Sequence, residues 1–359
     1  MMEWSEMLPE VLDIIAQKYI TYYEDYPSFA GVCKSWRLAA ARTYHNSNGP
    51  PSRLPSLMLA EISDDHESRE CFLLSNKCIR KIRLPEAYGK MFMSSCGWLL
   101  TVGRDFASQL INPLSREIIN LPKANTFREF IHPLNWDIAI QKVVLLLESK
   151  LVLVISGTYS KLGFCHIGDT KWTSIEQSKG VHDITFYNGH IYCFDCYSTI
   201  QACNVNGNDP TVLVRVARIP KRVYDQHVSS AYIVGLNDGE RKQLLVIIKE
   251  GVFNDGKCPE TYKTKSFQVL AYDLKSRKWS KVKDFGRKTL FVGFSSSFWM
   301  EDTTGVIKGN CIYYTDDEEG EYEYSEKGGG RDMGIYNLSD GTMEPHFTGE
   351  SRSRFTPPI

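Results

Sequence analysis

The sequence predicts a small all-α N-terminal segment followed by an all-β domain, and we interpret the latter as a β-propeller of about six blades. In the first 45 residues, apolar side chains recur at helical spacing, whereas from residue 57 onward short apolar stretches alternate with turn residues. Aromatic residues make up 12% of the 359 positions, and the chain has 26 Gly and 15 Pro. Aromatic residues favour strands, and Gly and Pro favour the turns between them.

The first helix of the N-terminal segment is predicted to begin near Pro9, because proline is well tolerated in the first turn, where its missing N–H costs nothing. The residues that follow give the helix one apolar face. The face comprises Leu8, Val11, Leu12, Ile15 and Tyr19.

A second helix is predicted from Asp25 onward, with apolar residues again at helical spacing. Gly31 interrupts this stretch at a cost of about 1 kcal/mol relative to alanine, so we expect the helix to be weak before Val32. The stripe comprises Phe29, Val32, Cys33, Trp36 and Ala40. A helical head of this size buries too little surface to be stable alone, so it either binds a partner or docks on the downstream domain.

Residues 46–56 are rich in Asn, Ser, Gly and Pro, which is typical of a linker. The predicted domains are therefore the head at 1–45, the linker at 46–56 and the β-rich body at 57–359.

Two sequence elements alternate along the body at intervals of roughly 40–60 residues. In one, a turn with Asn or Asp leads into an amphipathic strand, as after Asn112, Asp273 and Asn337. In the other, a small-residue turn precedes an aromatic strand, as at Gly97 and Gly189. Such periodic units predict propeller blades, with aromatic side chains packed between neighbouring blades. Five or seven blades, or a pair of β-sandwiches, are the alternatives.

The net charge and the N-terminal residues indicate what the protein binds and where it acts. The formal net charge of −1 argues against a protein that coats nucleic acid. The N-terminus is acidic and lacks an apolar leader, so we expect a cytoplasmic or nuclear protein with reduced cysteines. The strongest apolar runs, 143–147 and 151–155, are far shorter than the roughly 20 residues of a membrane helix.

No pattern of a catalytic nucleophile, phosphate loop or dinucleotide site occurs in the sequence. Cys193 and Cys196 form a lone CxxC pair on a predicted strand, whereas a structural zinc site needs four ligands. We interpret the pair as buried thiols. The sequence thus predicts no catalytic residues, no metal site and no cofactor.

Two segments carry concentrated charge of opposite sign. Residues 316–323 are acidic, which is typical of a solvated loop, with a site for a basic partner or a cation as the alternative. Residues 275–288 contain seven Lys or Arg and a single acid, which suits the solvent face of a blade edge; an RNA-binding stripe is the alternative. These segments provide the predicted target-binding residues, which are Lys278, Lys281, Lys283, Asp316, Asp317, Glu318 and Glu319.

The head resembles an F-box. The motif LPExLxxI runs from Leu8 to Ile15, and FxxVCKSWR follows from Phe29 to Arg37. The resemblance implies binding to a Skp1-type adaptor and, through it, to cullin-1 and a RING subunit of a ubiquitin ligase. The residues that match the family's adaptor-binding positions are Leu8, Pro9, Leu12, Ile15, Val32 and Trp36.

The body resembles the DUF295 (kelch-related) group of plant F-box proteins. The matching segments are 97–100, 112–114, 311–317, 334–338 and 355–358. The resemblance implies a non-catalytic subunit that recognises a target protein for an SCF-type ligase. A kelch-like propeller with sugar-binding or oxidase activity, and an F-box scaffold acting outside ubiquitination, are alternatives. Neither a membrane nor nucleic acid is expected as a partner.

Overall fold

The structure of the protein is a computed structural model. It describes residues 7–19, 25–46, 54–62, 64–127, 136–204, 209, 211–220, 230–239, 241–252, 262–322, 328–353 and 358–359. The chain divides into two compact units, residues 1–57 with 72–80, and residues 58–71 with 81–359. The limits of head, linker and body at residues 45 and 56 stay predictions.

Three helices form the head: α1 Pro9–Tyr19, α2 Asp25–Ala30 and α3 Lys34–Asn46. Their core is small, with Leu12 on α1 completely buried and the ring of Phe29 lying 4.5 Å from that of Trp36. The second predicted helix is divided in two, because the chain leaves helical conformation between Ala30 and Lys34. Gly31 lies in this break, which agrees with its low helix propensity.

Six sheets follow in the described part of the chain, so the prediction of six blades is confirmed. Blade 1 has strands β1 Ser56–Met58, β2 Ser68–Leu73 and β3 Cys78–Arg83. Blade 2 has β4 Met91–Ser95, β5 Trp98–Val102, β6 Ser108–Ile111 and β7 Ile118–Leu121. Blade 3 has β8 Ile140–Leu146, β9 Leu151–Ser156, β10 Lys161–His166 and β11 Thr173–Ser174.

Blade 4 has β12 Val181–Tyr187, β13 His190–Asp195, β14 Thr199–Cys203 and β15 Val214–Arg218. Blade 5 has β16 Ser230–Asp238, β17 Arg241–Val252, β18 Lys263–Asp273 and β19 Lys278–Val282. Blade 6 has β20 Lys288–Val292, β21 Phe298–Glu301, β22 Cys311–Tyr314, β23 Gly334–Asn337 and β24 Met343–Glu344. A short helix, α4 Glu319–Tyr322, lies between β22 and β23.

Strand order distinguishes blade 6 from the others. Blades 2 to 5 are four-stranded sheets in which consecutive strands are neighbours. Blade 6 has the order β21-β20-β22-β23-β24, and β20 pairs with β22 in parallel. The first strands of blades 2 to 5 contact one another in turn, β4 with β8, β8 with β12 and β12 with β16. These strands therefore surround the propeller axis.

Tryptophan side chains link neighbouring blades by the same contact three times. The indole N–H of Trp172 in blade 3 donates to the carbonyl of Pro122 after blade 2, at 2.8 Å. Trp279 in blade 5 donates to Arg218 in blade 4, and Trp299 in blade 6 donates to the carbonyl of Gly235 in blade 5, each at 3.0 Å. Trp172 is buried and Trp279 and Trp299 are partly buried against core clusters, so each tryptophan joins apolar packing to a directional bond.

The predicted Asn and Asp turns are hairpins between the last two strands of a blade. The side chain of Asn112 accepts the N–H groups of Leu114 and Ser115, and Asp273 accepts those of Lys275 and Ser276. These side chains replace the backbone acceptor within the turn. The repeat seen in the sequence is therefore a repeat of turn chemistry.

The first and last described parts of the propeller pair with each other. The N–H and carbonyl of Met58 on β1 bond to the carbonyl and N–H of Ile359, at 2.9 and 3.0 Å. The hydroxyl of Ser351 also accepts the N–H of Ala60 at 2.7 Å. These bonds add the segment around Ile359 to blade 1 as a further backbone partner.

Candidate functional site

A third of the exposed large apolar side chains in the described residues lie in the helical head. Of the fifteen exposed large apolar side chains in the described residues, five lie between residues 8 and 38. Leu8 is 60% exposed and Ile14 is 64% exposed. Exposed apolar side chains concentrated in a small segment are typical of sites of protein interaction. The five are Leu8, Val11, Ile14, Val32 and Leu38.

The structure divides the six predicted adaptor-binding residues into two groups. Leu8, Pro9 and Val32 are exposed and available to a partner. Leu12 is buried in the head, while Ile15 and Trp36 are half-buried against its core. The second group therefore stabilises the helices that present the first.

Three exposed apolar residues are absent from the predicted site: Val11, Ile14 and Leu38. Ile14 follows Leu8 and Val11 at a spacing of three residues, which places all three along one side of α1. The apolar face predicted from the sequence combined Leu8 and Val11, which are exposed, with Leu12, which is buried. Separating the exposed from the buried positions by their spacing would have identified Ile14.

The acidic segment at the start of residues 316–323 is part of the buried interior of the propeller. Asp316 is fully buried and accepts hydrogen bonds from the Tyr262 hydroxyl at 2.5 Å and from the N–H groups of Gly330 and Arg331 at 2.8 and 3.0 Å. Burial raises the pKa of Asp316, and the hydrogen bond from Tyr262 opposes that rise. The carboxylate organises the return of the chain after α4.

Lys249 on β17 is the centre of a neighbouring ionic cluster, which we call the Lys249 cluster. Its ammonium nitrogen Nζ lies 2.9 Å from Asp317, 3.1 Å from Glu318 and 3.3 Å from Asp332. The hydroxyl of Tyr232 also donates to Asp317 at 2.7 Å. Because the Lys249 side chain has no exposed surface, these carboxylates take the place of water in stabilising its charge.

In the Lys249 cluster, burial and the neighbouring charges shift pKa values in opposite directions. Burial alone would lower the pKa of Lys249, but the nearby carboxylates, Asp317 first, raise it well above its ordinary value. Burial raises the pKa of Glu318, and Lys249 opposes that rise. Lys249 is therefore held as a cation among a surplus of acids.

Interpreting the acidic segment as a solvated loop is thus wrong for its first three members. Asp316 is fully buried, and the side chains of Asp317 and Glu318 are only 11% and 12% exposed. Their partners come from β16 and β17 and from the segment before β23, which are distant in sequence. Glu319 begins α4 and is half-buried. Glu323 lies outside the described residues. Target binding by Asp316, Asp317, Glu318 and Glu319 stays a prediction.

A second buried network joins two inner strands to the segment between β20 and β21. Lys142 on β8 lies 3.2 Å from Asp183 on β12 and donates to the carbonyl of Gly293 at 2.7 Å. Asp183 accepts the Ser297 hydroxyl at 2.6 Å. Gly293 has φ 142, and a Cβ there would lie 2.1 Å from the Thr315 hydroxyl oxygen, so the position excludes a side chain. The segment between β20 and β21 therefore binds to two inner strands.

The basic segment has the opposite environment. Strand β19 is the outer strand of blade 5, where Lys278 and Lys281 are exposed, and Lys283 is exposed directly after it. The interpretation of this segment as the solvent face of a blade edge is confirmed. Lys278, Lys281 and Lys283 are thus accessible to a target.

A groove of about 340 Å³ lies beside this edge, between blades 5 and 6. Lys281, Lys283 and Lys288 contribute to its walls, together with Asp284. Buried apolar residues of both blades form its floor. The floor comprises Leu236, Leu245, Ala271 and Phe285.

The two cysteines of the CxxC pair lie in different environments. Cys193 is buried on β13 and Cys196 is exposed after it, so interpreting both as buried thiols is confirmed for the first and wrong for the second.

Across the described ranges, no group of three or more His, Cys, Asp or Glu side chains is arranged to hold a metal ion. Within the same ranges, no helix has the length and apolarity to cross a membrane.

Comparison with known proteins agrees with the propeller architecture. The sequence model of a family described as "KIB1-4 beta-propeller" matches residues 71–337. The chain belongs to the KIB1-4 β-propeller family. The KIB1-4 match begins within blade 1 and ends within blade 6, so it includes both buried ionic networks and the basic edge.

The chain also resembles plant proteins over most of its length. It is 25% identical to "Putative F-box protein At5g55150" of Arabidopsis thaliana, covering 88% of this chain and 86% of that protein. It is 24% identical to "Putative F-box protein At5g60060", covering 97% and 94%, and 24% identical to "F-box protein SKIP23", covering 96% and 91%, both of Arabidopsis thaliana. Its homologues therefore include plant F-box proteins.

Proposed function

We propose that this protein is a non-catalytic substrate receptor of an SCF-type ubiquitin ligase. Its head acts as an F-box that binds a Skp1-like adaptor and, through it, cullin-1 and a RING subunit. Its propeller, which we assign to the DUF295 group, holds a target protein. The protein acts in the cytoplasm, the nucleus or both. The observation that carries the proposal is the apolar outer face of the head in a chain whose homologues are F-box proteins.

The adaptor surface consists of the exposed members of the predicted set, with Ile14 and Val11 added. Buried apolar side chains provide most of the energy of protein interfaces, and a few of them dominate. Leu8 and Ile14 expose more than half of their surface in the free head. Binding buries them and removes that apolar area from water.

The receptor needs no nucleophile of its own, because a ligase receptor acts by proximity. It holds the target near a ubiquitin-carrying enzyme, which raises the effective concentration of the reacting groups. The propeller suits this task because its blades form a rigid ring that presents edges and loops.

The test is a pull-down of the purified full-length chain with a Skp1-type adaptor, followed by detection of cullin-1. Leu8→Asp combined with Val32→Asp replaces two exposed apolar side chains by charge. Asp at the residue preceding α1 is also a favoured helix cap, so the head stays folded. We expect the adaptor affinity to fall by at least tenfold, which corresponds to about 1.4 kcal/mol.

The matched control places the same charges on exposed apolar residues of blade 2, as Leu114→Asp with Ile118→Asp. We expect this variant to bind the adaptor like the wild type. If the wild-type chain fails to bind, or if both variants bind equally, the proposal is wrong. Adaptor binding without cullin-1 would favour the scaffold alternative.

A further inference from the structure

The groove between blades 5 and 6 combines an apolar floor with a basic rim. Its floor belongs to the packed faces of β16, β17 and β18 and to Phe285, which precedes β20. Its volume of about 340 Å³ falls within the usual range of small binding pockets, roughly 300–1,000 Å³. The groove can therefore receive an apolar side chain from a partner.

The charge around the groove has one dominant sign. Residues 275–288 contain seven Lys or Arg, and Asp284 is the single acid. One carboxylate oxygen of Asp284 already accepts the N–H of Gly286 at 2.7 Å. Lys278 and Lys281 are exposed on β19, and Lys283 is exposed directly after it. The basic rim thus extends along the edge strand.

These features favour a polypeptide over single-stranded nucleic acid as the occupant. Sequence-tolerant binding of single strands relies on aromatic rings that stack on bases. The aromatic residue of β19, Trp279, directs its indole N–H to Arg218 in blade 4. An acidic peptide with an apolar side chain uses both the charge of the rim and the apolar floor.

We propose that the groove and the adjoining edge of β19 bind an acidic peptide segment that inserts an apolar side chain between blades 5 and 6. This inference rests on the proposed receptor function and names the class of target that the receptor takes. The carboxylates of the segment lie along Lys278, Lys281 and Lys283. Its apolar side chain covers the floor of the groove at Phe285.

The experiment measures fluorescence anisotropy of a labelled nine-residue peptide, a single Phe flanked on each side by four Asp or Glu, against the full-length chain. Two further peptides isolate the two features: one replaces every Asp and Glu by Asn and Gln, and the other replaces the Phe by Ala. We expect the acidic peptide with Phe to bind at least tenfold more tightly than the uncharged peptide. Loss of the Phe weakens binding by a smaller factor.

The protein variants isolate the site. Lys281→Glu with Lys283→Glu reverses two charges at the groove, and we expect a loss of at least tenfold in peptide affinity. Lys123→Glu with Lys171→Glu makes the same change in net charge at exposed lysines near blades 2 and 3. We expect this control to bind the peptide within about twofold of the wild type. All four lysines are exposed, so each variant should retain the wild-type melting temperature.

The proposal is overturned if the two double variants bind the peptide equally, or if the uncharged peptide binds as well as the acidic one. It is also overturned if a nine-nucleotide oligouridine displaces the peptide and binds more tightly, since that result assigns the edge to RNA. Adaptor binding is measured on the same protein samples. If the wild-type chain binds the adaptor but not the acidic peptide, this inference alone is refuted, and if it binds the peptide but not the adaptor, the proposed ligase function alone is refuted.

Discussion

Residues 275–288 and residues 316–318 carry dense charge of opposite sign, and the propeller places them in opposite environments. Lys278 and Lys281 of the first segment lie on the outer strand of blade 5 and are exposed. The carboxylates of the second are buried and bonded to other elements. The comparison shows that charge density along a sequence does not by itself decide exposure.

The availability of partners explains the difference. A buried charge is tolerated only when it is paired and hydrogen-bonded. Asp316 receives two backbone N–H groups and a tyrosine hydroxyl, and Asp317 receives Lys249 and Tyr232. No such convergence is available to the long side chains of an edge strand, where lysine also discourages pairing with another chain.

The largest expected effect tests the buried side of the comparison. Lys249→Met removes the cation and leaves three carboxylates facing one another in the interior. Removing one partner of a buried ionic group costs about 3–5 kcal/mol, so we expect the free energy of unfolding to fall by that amount. Urea denaturation followed by tryptophan fluorescence measures the change.

Lys278→Met is the matched control, because it makes the same chemical change at an exposed lysine. We expect its unfolding free energy to stay within about 0.5 kcal/mol of the wild type. Equal stabilities of the two variants would contradict a stabilising role for the Lys249 cluster.

An effect of intermediate size is expected on the pH dependence of stability, through protonation of Glu318. Its pKa is raised by burial above the usual value of 4.5, so the folded protein takes up this proton at a higher pH than the unfolded chain does. This group's contribution to stability therefore grows as the pH falls from 7 toward 4.5, and it is lost as the pH rises through the folded pKa. The slope from one proton is at most about 1.4 kcal/mol per pH unit.

Glu318→Gln removes that proton uptake and keeps a side chain of similar shape. We expect the wild type to gain stability relative to this variant as the pH is lowered across the window. Urea denaturation of both proteins at several pH values measures the difference. A constant difference would show that Glu318 has the same proton affinity in both states, and a shift in favour of the variant would show that folding lowers its pKa; either result contradicts the prediction.

The smallest effect on stability is expected at the edge itself. Lys278→Thr with Lys281→Thr should change the unfolding free energy by less than about 0.5 kcal/mol. The uncharged edge should, however, promote self-association, because charged residues protect an outer strand. Light scattering across a concentration series measures association, and Lys123→Thr with Lys171→Thr is the control. A loss of stability above about 1 kcal/mol would mean that these lysines make contacts within the fold.

Local chemistry made much of the fold predictable. The turns at Asn112 and Asp273 bond their own backbone, so each could be recognised from a few consecutive residues. Their repetition gave the blade number, and Trp172 and Trp279 occur where neighbouring blades meet. The crossed strand order of blade 6 depends on distant pairing, which no local pattern encodes.

The candidate sites were predicted less completely, for the same physical reason. Leu8 and Leu12 are equally apolar in the sequence, and only the packing of three helices separates contact from core. The ionic partners of Asp317 lie on β16 and β17, far away along the chain. One signal was present: Lys249 ends an unbroken apolar run, 244–248, where a solvated lysine is unexpected.

The pairing of Met58 with Ile359 has a consequence for folding kinetics. The nearby bond between Ala60 and Ser351 joins residues 291 positions apart. Contacts of such long range incur the entropy of closing a large loop before they return any energy, so folding rates fall as their share rises. We therefore expect ring closure to come late in folding, and the edge of blade 1 to stay unpaired until the segment around Ile359 has been synthesised.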